Sequence, residues 1–218
     1  MSTRKKIAIL ISGRGSNMMS LIAAAMSPDY PAEIALVLSN KPDAGGLAKA
    51  EELGIKTEVV DHKDYKGDRE AFERALNAVL KDNGIELVVL AGFMRLLTPY
   101  LVNEWRDRMI NIHPALLPSF KGLNTHERAL DEGVKLHGAT VHFVSADMDD
   151  GPIISQGAVP VLDCDTAESL GARVLGIEHL IYPKALELVA SGKAKVKGQK
   201  VAISGDEDDL SGKTLLVP

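Results

Sequence analysis

Short apolar runs rich in β-branched residues, at 5–11, 34–39, 56–60 and 86–91, alternate with longer helical patterns at 16–27, 44–54 and 67–83. That alternation leaves few folds open, because strands separated by helix-length crossovers lie parallel in one sheet with helices packed against it. In the third helical segment Phe72, Leu76, Val79 and Leu80 recur at spacings of four, three and one, which gives one apolar face for the sheet. A further strand is expected at 108–112, then a proline-bounded loop from Pro114 to Gly122 and a short helix at 124–132. From 135 the rhythm changes. Two extended runs, 136–145 and 153–161, are joined by Asp147 to Pro152, a loop loaded with turn formers and carboxylates. Residues 166–191 read as a long closing helix, and Lys195 to Val201 as a hairpin with Gly198 in its turn. The acidic stretch from Asp206 to Asp209 reads as solvated. The expected architecture is α/β: a Rossmann-like, mostly parallel twisted sheet with helices on both faces and an antiparallel C-terminal part. Residues 1–192 are expected to form one domain, with 193–218 as a tail.

The 218 residues, 45% of them apolar, are enough for a self-sufficient core. With aromatic residues at 4%, that core falls to Leu, Val, Ile and Ala. The net charge is -5 and no basic run exceeds Arg4–Lys5–Lys6, so the footprint of a nucleic-acid binder is missing and small-molecule partners are expected. Cys164 is the only cysteine. It excludes an intrachain disulfide and a thiolate metal cluster and agrees with a reducing, cytoplasmic compartment. The apolar run from Ile7 to Ile11 is stopped by Ser12–Gly13–Arg14, too early for a signal sequence or a membrane span.

Residues 12–17, Ser-Gly-Arg-Gly-Ser-Asn, lie between the first strand and the first helix, where unpaired backbone N–H groups and the helix dipole make an anion site. Gly15 permits close backbone approach, while Ser16 and Asn17 offer side-chain donors to phosphate oxygens. Dinucleotide binding is disfavoured. The third glycine of that fingerprint is replaced by Met18, and the second strand ends in Ser39–Asn40 without a ribose-binding carboxylate. The ending of a nucleotide-triphosphate loop is missing too.

Residues 110–122 read Ile-Asn-Ile-His-Pro-Ala-Leu-Leu-Pro-Ser-Phe-Lys-Gly. Positions two apart on a strand share a face, so Asn111 and His113 project together from the carboxyl end, where open parallel sheets bind ligands. A carboxamide donor beside an imidazole suits an oxyanion and a moving proton, the two needs of acyl transfer to an amine. Asp149, in the acidic loop, can reach the same edge and hold His113 in its charged form. His137 and His142 are an odd number apart on one strand and should face opposite sides, so no shared metal is expected unless Gly138 introduces a bulge. His126 and His179 fall on helices and His62 is expected to be solvated. Met18 and Met19 read as packing, and Cys164 as inert.

Asn-Ile-His-Pro-Ala-Leu-Leu-Pro-Ser-Phe-Lys-Gly resembles the hallmark segment of the folate-dependent formyltransferases. Ile-Ser-Gly-Arg-Gly-Ser-Asn at 11–17, Leu-Ala-Gly-Phe-Met-Arg-Leu-Leu at 90–97, Gly-Ala-Thr-Val-His-Phe-Val from 138 and Met-Asp-Asp-Gly-Pro to 152 resemble, in order and spacing, the members that formylate glycinamide ribonucleotide. The likeness spans roughly residues 5–190. It implies transfer of the formyl group of 10-formyltetrahydrofolate to the amine of 5-phosphoribosylglycinamide in purine synthesis, with folate as cosubstrate and neither metal nor NAD. It implies catalytic roles for Asn111, His113 and Asp149. It assigns phosphate contacts to Gly15, Ser16 and Asn17, and a contact to the substrate's ribose or amide portion to Glu178. Folate contacts fall to Arg69, Met94, Arg95, Leu96, Leu97, Asn111 and the loop Ser145, Ala146, Asp147, Met148 and Asp149. Relatives often carry an acid where this chain has Ala146, which removes a side-chain role there. The expected assembly is a monomer or homodimer.

Three rivals stand beside this expectation. A formyltetrahydrofolate hydrolase passes the formyl group to water, but its relatives usually carry an extra N-terminal regulatory domain and this chain reaches its first strand by residue 5. A formyltransferase acting on methionyl-tRNA adds a C-terminal tRNA-binding domain and a basic surface. A non-catalytic phosphosugar-binding module uses the glycine loop but has no need of Asn111, His113 and Asp149.

Overall fold

The computed structural model describes residues 4–204. The acidic stretch Asp206 to Asp209 lies outside them. Strands β1 (Lys5–Ile11), β2 (Ala32–Ser39), β3 (Thr57–Val59), β4 (Leu87–Leu90), β5 (Met109–His113), β6 (Leu136–Phe143) and β7 (Ile153–Pro160) form one sheet in the order β3-β2-β1-β4-β5-β6-β7. The first five are parallel, and β6 is reversed, pairing antiparallel with both β5 and β7. The α/β class and its antiparallel C-terminal part are therefore as expected.

Helices α1 (Ser16–Ala25), α2 (Gly45–Glu52), α3 (Arg69–Asp82), α4 (Pro99–Glu104), α5 (Thr125–Asp131) and α6 (Ala167–Ala190) connect the strands. Two apolar clusters divide β1 by side-chain parity. Ile7, Ile9 and Ile11 join the core under α1 and α6, while Ala8 and Leu10 join Phe72, Leu76 and Leu80 of α3 on the other face. The period-two alternation of a central strand thus appears as two dry layers. Helix α4 was not foreseen. At six residues it carries too little apolar periodicity to read, although Thr98–Pro99 is an N-cap followed by proline at the first helical position. Strands β8 (Ala194–Lys197) and β9 (Lys200–Ile203) form a separate two-stranded hairpin that turns at Gly198 with φ +62°. His62 departs from expectation: it is half-buried, with Nδ1 2.8 Å from Asn40 O, because the loop after β3 folds back on the end of β2. Among the described residues no helix is long and apolar enough to cross a membrane.

Connections leave β1 and β4 toward opposite edges of the sheet, so a crevice opens between their carboxyl ends, the place where open α/β sheets bind ligands. Tyr182 of α6 closes it from below. Its hydroxyl is fully buried and donates to Leu90 O at 2.8 Å, with Ile110 O at 3.3 Å, tying the ends of β4 and β5 together.

Candidate active site

The glycine loop forms the first wall of the crevice. Gly15 has φ +72° and precedes α1, which begins without a side-chain cap and has no acidic residue in its first turn. Its first-turn N–H groups are open to an anion. Gly46 of α2 presses on the loop from outside: its N–H donates to Gly13 O at 3.0 Å, and a Cβ there would lie 2.5 Å from Ile11 Cδ1 and 3.4 Å from Gly15 Cα. Sequence reasoning missed Gly46. The signal available was its paired glycine at a helix start, which marks a close backbone approach.

Asn17 and Glu178, 161 residues apart, meet here, with Asn17 Nδ2 donating to Glu178 Oε2 at 2.6 Å. Burial pushes the Glu178 carboxyl above its usual range, and the Asn17 bond pulls it back. Asn17 Oδ1 is buried without a hydrogen-bond partner. The four residues expected at the phosphosugar end thus share one end of the crevice.

Asn111, His113 and Asp149 converge. His113 is 5% exposed, with Nε2 2.9 Å from Phe120 O and Nδ1 3.4 Å from Asp149 Oδ2. Each ring nitrogen therefore faces an oxygen acceptor. Asp149 has φ +52° and also accepts from Gly122 N at 2.9 Å, which fixes the carboxylate against the loop after β5. Asn111 lies opposite His142 in the β5–β6 ladder, and its Nδ2 is 3.4 Å from His142 Nε2. His142 was not expected in the site. Its Nδ1 is 2.9 Å from Phe143 O and must donate there, so the neutral ring offers the Nε2 lone pair to Asn111 and lies 4.0 Å from Asp149 Oδ1. Burial lowers its basicity, against the pull of Phe143 O and Asp149. The missed signal was cross-strand pairing: residues opposed in an antiparallel ladder share a face.

His137 leaves the site, as its parity required. Its Nε2 lies 3.2 Å from His126 Nδ1 and its ring packs edge-on to Phe120. Burial, then the neighbouring His126, pushes the His137 ring down to about 4. Among the described residues no three His, Cys, Asp or Glu side chains are grouped to hold a metal ion.

The residues expected to meet folate divide into two stretches and one outlier. Met94 to Leu97 follow β4, where Met94 and Leu96 are 64% and 62% exposed, a large apolar surface left at the rim of the crevice. Ser145 to Asp149 form the acidic loop opposite; Ser145 Oγ donates to Asp147 O at 3.0 Å, and Ala146, Asp147 and Met148 are exposed. Arg69 stands apart, exposed in the first turn of α3, and no hydrogen bond joins it to the other residues of the set. A cavity of about 460 Å³ opens beside Asp149 and Gly151 toward Lys200 of the hairpin. A larger one of about 540 Å³ lies between α2 and β3 and is lined by neither Asn111 nor His113.

Residues 5–186 match the family described as formyl transferase. The chain is 51% identical over 88% of its length to a trifunctional purine biosynthetic protein adenosine-3 of Bos taurus, of which it spans only 19%. It is 40% identical to a phosphoribosylglycinamide formyltransferase of Escherichia coli, over 91% of this chain and 93% of that protein. The fold is similar to that of glycinamide ribonucleotide transformylase 1 from Symbiobacterium toebii, with a TM-score of 0.89 and 43% identity over 92% of this chain and 94% of that one.

Proposed function

Because this chain belongs to the formyl transferase family, we propose that it transfers the formyl group of 10-formyltetrahydrofolate to the amine of 5-phosphoribosylglycinamide, a step of purine synthesis. The carrying observation is the convergence of Asn111, His113, His142 and Asp149 at a sheet edge beside an uncapped helix start. The phosphate of the acceptor sits on Gly15, Ser16 and Asn17, and Glu178 faces its ribose or amide portion. The donor lies along Met94 to Leu97 and the loop Ser145 to Asp149, with Arg69 at its anionic end.

The amine nitrogen attacks the formyl carbon and its carbonyl oxygen takes up negative charge. Asn111 Nδ2 is the direct donor to that oxygen, oriented by His142 Nε2 behind it. His113 adds positive charge when both ring nitrogens are protonated; direct donation from Nε2 requires release of Phe120 O. Asp149, within reach of both imidazoles, accepts the proton lost by the amine and passes it, directly or through water, to the departing folate nitrogen as the old carbon–nitrogen bond breaks. No covalent enzyme intermediate is formed. We place the protein in the cytoplasm, with small molecules as partners, as a monomer or homodimer built on one domain over residues 1–192.

The test mixes pure protein with formyl donor and follows deformylated folate with and without 5-phosphoribosylglycinamide. Release that depends on the acceptor supports the proposal. Acceptor-independent release assigns the chain to hydrolysis, and no release reduces it to a binding module.

A further inference from the structure

Glu73 of α3 takes no part in the chemistry above, yet its carboxylate is 1% exposed. It reaches the start of α4, where it accepts from Thr98 N at 2.6 Å and from Thr98 Oγ1 at 2.5 Å. Thr98 is the N-cap of α4, but its hydroxyl is turned to Glu73 and makes no cap within its own helix. Two charge-assisted bonds offset the cost of burying the carboxylate and leave its position fixed.

Thr98 directly follows Leu97, so Glu73 anchors one end of the 94–97 segment. The other end is anchored as well: Met94 N donates to Ser12 Oγ at 2.8 Å, and that hydroxyl donates to the buried Asn40 Oδ1 at 2.5 Å. Between the anchors, Met94 and Leu96 project into solvent, and the Arg95 guanidinium lies 6.0 Å from the centre of the Phe72 ring on α3. An exposed apolar wall on a backbone pinned at both ends is pre-organised, so little ordering cost remains when a ligand arrives. Glu73 also lies one helical turn from Arg69. The first half of α3 therefore carries the cation and, through Glu73, sets where the apolar wall stands.

We propose that Glu73 is a positioning residue for the formyl donor: it fixes the 94–97 segment against Arg69, so that the donor's apolar and anionic ends meet surfaces at a set separation. The inference rests on the reading of Arg69 and Met94 to Leu97 as donor contacts.

The experiment measures steady-state kinetics with both substrates varied, alongside thermal unfolding, for wild type, Glu73→Ala, Glu73→Gln and Thr98→Val. Losing both bonds in Glu73→Ala is expected to raise the donor KM about tenfold. The acceptor KM and kcat stay within about twofold, because nothing on the 15–17 loop or around Asn111 moves. Glu73→Gln should return close to wild type, since its amide oxygen can accept from Thr98 N and its amide nitrogen can donate to Thr98 Oγ1. Thr98→Val removes only the hydroxyl arm, is expected to raise the donor KM about threefold, and carries the test if Glu73→Ala does not fold. An unchanged donor KM in folded variants, or equal deterioration of both KM values and kcat, overturns the inference alone. A wild type without acceptor-dependent release overturns the formyl-transfer reading, and this inference with it.

Discussion

Gly151→Ala offers a direct test of whether the acidic loop must stand where it does. A Cβ at Gly151 would lie 1.7 Å from Phe143 O, 2.9 Å from Phe143 C and 3.4 Å from His142 Nδ1. Non-bonded carbon and oxygen approach to about 3.3 Å, so one side must give by about 1.6 Å. Phe143 is poorly placed to yield, because its carbonyl accepts from His142 Nδ1 and its N–H donates to Pro152 O, both at 2.9 Å. The loop moves instead and takes Asp149 with it. A separation of 3.4 Å between Asp149 Oδ2 and His113 Nδ1 then grows by more than an ångström, and a misplacement of about 1 Å at a reacting group costs on the order of a hundredfold. Overpacking at a loop costs about 1–3 kcal/mol, so the protein should still fold. The assay is acceptor-dependent kcat/KM together with thermal unfolding. Gly157→Ala is the control: its Cβ would press on Ile177 Cγ1 at 2.4 Å and should lower stability while leaving the rate near wild type. A folded Gly151→Ala enzyme with wild-type kcat/KM would refute the argument that Asp149 acts from this position.

Asn111→Ala and His113→Ala should fold yet turn over about a hundred- to a thousandfold more slowly, as single losses at an oxyanion site do; near wild-type turnover in either removes it from the chemistry. Gly46→Ala pushes on Ile11 and on the backbone of the glycine loop, and should raise the KM for 5-phosphoribosylglycinamide about tenfold while leaving the donor KM alone. His137 titrates near 4 in the fold against 6.5 in the unfolded chain. The unfolded chain takes up the proton first, so this ring's contribution to stability is complete above about pH 6.5 and drains away as the pH falls toward 4. His137→Leu should flatten the stability profile in that window, which urea unfolding from pH 7 to pH 4 would show.

The parallel half of the fold was legible because β1, β2 and β4 are buried on both faces and read as continuous apolar runs. The six-residue α4 was not, having fewer residues than a periodic signal needs, whereas the three-residue β3 lies inside the apolar run at 56–60. Asn111 and His113 could be placed together because a strand's period is two. Their meeting with Asp149 was open to suspicion but beyond proof from residue spacing, since it depends on a positive φ at Asp149 and on the Gly122 N–H, neither of which leaves a pattern in the sequence. His142 was passed over for a different reason. It was weighed against His137 on its own strand, when its decisive neighbour is Asn111 across the ladder.

That cross-strand pair also explains why the sheet changes direction at β6. Running antiparallel, β6 ends at Phe143 beside the start of β5, and the chain must turn back at once through the acidic loop to make β7. The reversal sets His142 opposite Asn111 and returns Asp149 to the edge where His113 ends. Meanwhile Tyr182 holds the ends of β4 and β5 from the α6 side, one turn beyond Glu178, so the helix that steadies the reacting end also carries the carboxylate that meets Asn17. On the proposed function the distance between the phosphate cradle and the acyl-transfer groups would thus be set by α6 and the sheet, and the donor's wall by Glu73 of α3 at one end and Ser12 at the other. The two substrates would then bind to different rigid elements, with Asn111, His113 and the acidic loop facing the space between them.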